Sequence, residues 1–138
     1  MPETKGITAV ISCLDPNVFP HVFHWAEDTF GIGNFTFLTI RGAELYWTQY
    51  DEDFGARHIE RELQFIAQEL GLERIVFVPH SDCKALEKVG KLFINADADY
   101  LAQHAMCEWA IHKLSMLFKE VLFEIQYFRK DLKEMKHR

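Results

Sequence analysis

The chain lacks any apolar run long enough to cross a bilayer, so no membrane-spanning helix is expected. Its first residues, Met1-Pro2-Glu3-Thr4-Lys5, lack the basic-then-apolar order of a secretion signal. Together these absences predict a cytoplasmic protein that does not enter membranes. A basic stripe is missing too. The formal net charge is −6, and phosphate contacts, which supply most nucleic-acid affinity, need the opposite sign. No nucleic-acid partner is expected. Cysteine is scarce and odd in number, at three. In a chain without a signal this argues against a disulfide framework and leaves metal binding, catalysis or core packing for each thiol. No internal repeat, low-complexity stretch or Pro/Gly/Ser-rich linker divides the sequence, so residues 1–138 read as one domain. Neither a P-loop nor a dinucleotide fingerprint is present. Gly31-Ile32-Gly33-Asn34 precedes a strand pattern instead of opening a helix, and reads as a turn.

What the chain does have is enough apolar material for a core: 49% hydrophobic and 14% aromatic residues over 138 positions. Strand patterns fall at residues 7–12, 35–40, 74–79 and 120–128. The last is long and partly alternating, like an edge strand needing cover. Between them lie helical patterns. Ile59, Leu63, Ile66, Ala67 and Leu70 share one face, with Gly71 as a helix stop. Leu101, Ala105, Trp109, Leu114 and Phe118 repeat the pattern less regularly over residues 98–118. Residues 17–30 are helix-like but carry Pro20, which predicts a short or broken helix. The mixed-charge tail from Arg129 to Arg138 reads as solvated. The alternation of strand and helix predicts an α/β fold with a mainly parallel central sheet and helices on both faces.

Two short stretches carry the chemistry: Ser12-Cys13-Leu14-Asp15 and Pro79-His80-Ser81-Asp82-Cys83. Each directly follows a buried-strand pattern, and ligands of open parallel sheets bind at the carboxyl ends of strands. Two thiols and an imidazole delivered to one sheet edge suit Zn²⁺. The competing reading makes Cys13 and Cys83 small core residues, and spacing alone does not decide between them. Cys107 follows His104 at the same three-residue offset, but within an apolar-faced helix it reads as packing.

Cys13-Leu14-Asp15, Arg41-Gly42-Ala43 and His80-Ser81-Asp82-Cys83 resemble, in order, the motifs of the β-class carbonic anhydrases. The resemblance runs from about residue 7 to about residue 90 and more faintly beyond. It implies a β-carbonic-anhydrase-like domain with zinc held by Cys13, His80 and Cys83. It further implies a catalytic Asp15 beside the metal, CO₂ and bicarbonate as the small-molecule substrates, and a homodimer or higher homo-oligomer. In that family zinc-bound hydroxide attacks CO₂, and an Arg two residues after the Asp holds its carboxylate away from the metal. Here that position is Asn17, which offers no cationic fork. Asp15 as a fourth ligand would close the site as Cys₂-His-Asp, a structural rather than catalytic zinc. Arg41, Arg57 and Lys84 are candidate cations in place of the missing Arg. Pro79, Lys84 and Glu44 stand where the family has Gly, so Asn17, Arg41, Gly42 and Lys84 are the pocket candidates. The expectations are therefore CO₂ hydration, a non-catalytic zinc relative, or hydrolysis of a linear molecule such as COS or CS₂.

Overall fold

The computed structural model describes residues 6–39, 54–83, 87 and 95–136. In chain order the elements are β1 (Ile7–Ser12), α1 (Phe19–Phe30), β2 (Phe35–Thr39), α2 (Phe54–Glu69), β3 (Leu72–Val78), α3 (Ala96–Ser115), β4 (Leu122–Ile125), β5 (Tyr127–Arg129) and β6 (Glu134–Lys136). β1 to β4 form one parallel sheet in the order β2-β1-β3-β4. This is the expected α/β class.

The two central strands are apolar on both faces because both faces are covered. Ala9 and Ile11 of β1, with Ile75 and Phe77 of β3, pack against α2 and α3 through Ala56, Ile59, Leu63, Cys107, Ala110 and Leu114. The alternate residues Val10, Val76 and Val78 face the other way, onto Val22 and Ala26 of α1. Full burial of one such aliphatic side chain contributes about 1.5–3 kcal/mol. Two-sided burial thus makes β1 and β3 the firmest part of the domain from which to hang a site. Phe19, Phe23, Phe35 and Phe37 fill the space between α1 and β2 with edge and stacked ring contacts of 5.1–5.7 Å.

Where β1 enters the sheet, backbone approaches backbone. Gly71, at φ +77°, ends α2, and the Ile7 N–H donates to its carbonyl oxygen at 2.7 Å. A Cβ on Gly6 would stand 2.7 Å from that same oxygen, so only glycine fits there.

Four expectations are corrected. Pro20 does not break α1: it lies in the first turn, where its missing N–H has no intrahelical partner to lose, and the helix runs for 12 residues. Leu70 is exposed, lying beyond the last turn of α2. On α3, Leu101, Ala105 and Trp109 face solvent; the buried side is Tyr100, Gln103, Cys107, Ala110 and Leu114. The strand pattern at residues 120–128 is not one long edge strand. β4 spans four residues beside β3, and after Gln126 the chain continues as β5, which pairs antiparallel with β6. The tail is therefore folded through residue 136, with Phe128 and Met135 packed into the α1 side of the core.

No helix among the described residues is long and apolar enough to cross a membrane.

Candidate metal centre

β1 lies between β2, which follows it in sequence, and β3, which lies on its other side. The strand order reverses there, and in open α/β sheets such a switch point, at the carboxyl ends of the strands, is where ligands bind. Ser12 and Val78, the last residues of these strands, are register partners. The loops that follow them begin side by side. One carries Cys13, the other His80 and Cys83.

The structure brings these three residues together. One potential ligand atom from each lies within 4.8 Å of the others, the only such group of three or more His, Cys, Asp or Glu among the described residues. Cys13 and Cys83 are each 6% exposed and His80 1%. None of the three cysteines is in a disulfide. The donor set, two sulfurs and an imidazole, is one that can hold a metal ion.

The imidazole is oriented for that role. His80 Nδ1 lies 2.7 Å from the Ser81 carbonyl oxygen. A carbonyl only accepts, so Nδ1 carries the proton and a neutral ring keeps its lone pair on Nε2, which is buried. A hydrogen bond at the far nitrogen is the usual support of a metal-binding histidine. The turn that follows places Asp82 at φ +53°, left-handed backbone that Asp tolerates better than most residues. This sharp turn brings Cys83 back beside His80.

β5 straps the loop in place. The Phe128 N–H donates to the Pro79 carbonyl at 2.9 Å, and the Ser81 N–H to the Phe128 carbonyl at 3.0 Å. The Lys130 N–H donates to Ser81 Oγ at 2.7 Å. From α3, Gln103 Nε2 donates to the His80 carbonyl at 2.6 Å and also reaches both Asp99 oxygens at 2.9 and 3.0 Å. The Tyr127 hydroxyl donates to the same buried Asp99 carboxylate. Burial, and then the neighbouring Asp99 charge, push the Tyr127 pKa far up, so the phenol stays a donor.

Asp15 is not part of the three-residue group. Its Oδ1 accepts the Asn17 backbone N–H at 2.8 Å, and its Oδ2 lies 2.7 Å from Lys130 Nζ. Burial raises its pKa, but the Lys130 hydrogen bond, the Asn17 N–H and the Lys130 charge outweigh that and hold the carboxyl below its ordinary value. Asp15 is therefore ionised at neutral pH.

Of the other residues singled out from sequence, Asn17 contributes its backbone N–H to Asp15 while the residue itself is exposed. Arg57 is exposed on α2. Arg41, Gly42, Glu44 and Lys84 lie outside the described residues. The cation on Asp15 is Lys130, which sequence reading placed in a solvated tail; the partners are 115 positions apart, so no local spacing marks the pair. Gln103, Asp99 and Tyr127 were also missed. A pattern reading counts them as helix surface and strand packing, and nothing local links them to the His80 loop. Cys107 is fully buried in the core, as expected.

Comparison with protein-family models and with curated proteins finds no match.

Proposed function

We propose that this chain binds zinc and interconverts CO₂ and bicarbonate, in the manner of the β-class carbonic anhydrases it resembles. The observation that carries this reading is the convergence of Cys13, His80 and Cys83 past the carboxyl ends of β1 and β3. Thiolate and imidazole donors favour zinc over the hard cations Mg²⁺ and Ca²⁺, which take oxygen ligands. Zinc bound by three protein donors supplies an acidified water at its fourth position, with a pKa near 7.

This chain's own residues do the rest. The Ser81 carbonyl keeps the proton of His80 on Nδ1. Asp15, ionised and two residues from Cys13, accepts a hydrogen bond from a water or from the hydroxyl of bicarbonate and so orients it. The burial of Cys13, His80 and Cys83 keeps bulk water from competing for the substrate. A cytoplasmic homodimer or larger assembly belongs to the same proposal. The closed Cys₂-His-Asp arrangement needs Asp15 Oδ2 to leave Lys130, and no observation favours it.

Stopped-flow CO₂ hydration tests the reading. The zinc-loaded protein is expected to exceed the buffer rate, with activity rising between pH 6 and 9 as the water ionises. Background rates across that range, with zinc bound, would contradict the proposal; COS and CS₂, which present the same cumulated carbon, are then the substrates to assay. Asn17→Arg is expected to change the rate little, because Asp15 already has a cation on one oxygen and an N–H on the other.

A further inference from the structure

Asp15 lies two residues from Cys13, and a carboxylate that near a zinc site is a competent ligand, binding at roughly 2.0–2.2 Å. Whether it binds depends on what holds it. Its Oδ1 is tied to the Asn17 N–H by a local turn. Its Oδ2 is tied to Lys130, the residue that supplies charge. The two side chains are 12% and 18% exposed, so water screens this pair less than a surface pair.

Lys130 is itself held. Its N–H donates to Ser81 Oγ, in the loop that carries His80. On either side of it, Arg129 and Asp131 are occupied with each other through a two-point contact at 2.6 and 2.9 Å. That contact leaves Lys130 as the cation of this segment aimed at Asp15. An ammonium is a point charge and takes one carboxylate oxygen, leaving the other to the backbone donor.

We infer that Lys130 is a positioning residue that holds Asp15 off the metal and thereby keeps one coordination position open. This rests on the zinc reading of Cys13, His80 and Cys83. The tail hairpin is then part of the site. It sets the number of protein ligands at three, where release of Asp15 would make four.

Cobalt in place of zinc, with azide as the probe, tests the inference without an activity assay. Azide is expected to change the visible spectrum of the cobalt-loaded parent by entering the open position. In Lys130→Met, Asp15 is released to that position, and azide binding is expected to weaken by at least about tenfold, the factor that ~90% closure imposes. Lys130→Arg keeps the cation and should keep the azide response. The double variant K130M/D15N removes the competing carboxylate and should regain it. An azide response in K130M equal to the parent's overturns the inference, as does failure of the double variant to recover. A parent that takes up neither cobalt nor zinc overturns the metal reading itself, a distinct result. If K130M does not fold, Lys130→Gln takes its place and is read the same way.

Discussion

Cys83→Ser is expected to remove the metal while leaving the protein folded. A serine hydroxyl stays protonated at neutral pH and is a poor replacement for a thiolate. Loss of an outer hydrogen-bond partner already costs metal sites about 10–100-fold in affinity, so loss of a direct ligand should exceed about 100-fold. Cys83 belongs to neither apolar cluster of the core, and the sheet does not depend on it. Metal content after dialysis, alongside the unfolding curve of the metal-free protein, checks both halves. Equal zinc in parent and variant would remove Cys83 from the coordination shell. Cys107→Ser is the matched control. That thiol is fully buried between α3 and the sheet, so a hydroxyl there is expected to cost about 1–3 kcal/mol of stability with no loss of zinc.

Phe128→Ala is expected to damage fold and site together. The ring is 1% exposed and packs with Val10, Val18, Val22 and Val78. His21 stacks on it at 5.6 Å. Truncation of a buried Phe costs about 3–5 kcal/mol, a large part of the ~5–15 kcal/mol that a domain has in total. The same residue pairs with His80 across a parallel bridge, and its backbone holds Pro79 and Ser81. Loosening β5 should therefore also loosen the His80 loop and the Asp15–Lys130 pair. Metal affinity is expected to fall by about 10–100-fold, the range seen when outer supports of a metal site are lost. Urea unfolding and a chelator competition measure the two effects. An unstable variant with unchanged metal affinity would separate the tail from the site.

The parts of this molecule that follow from local sequence were legible. β1 and β3 are continuous apolar runs because both of their faces are buried, and that character is visible without knowing the fold. The donors Cys13, His80 and Cys83 each stand just past such a run, which marked them as candidates for the sheet edge, while the pairing of β1 with β3 that joins them is read from the structure. The rest depends on partners distant in sequence. Gln103 is buried because the His80 carbonyl and Asp99 accept its protons, whereas hydropathy counts it as surface. With Gln103 inside, α3 turns Leu101 and Trp109 to solvent. The run from Val121 to Phe128 is broken only by Glu124 and Gln126, and nothing in it signals that the chain leaves β3 after Ile125 to pair with β6. Lys130 sits among alternating charges that look solvated, yet it carries the contact that restrains Asp15.

X-ray absorption at the zinc edge tests the central claim most directly. The account predicts one zinc per chain with two sulfurs at about 2.3 Å and lighter N/O donors at about 2.0–2.2 Å, one of them His80 Nε2. A shell without sulfur, or a protein that retains no zinc at all, would contradict it.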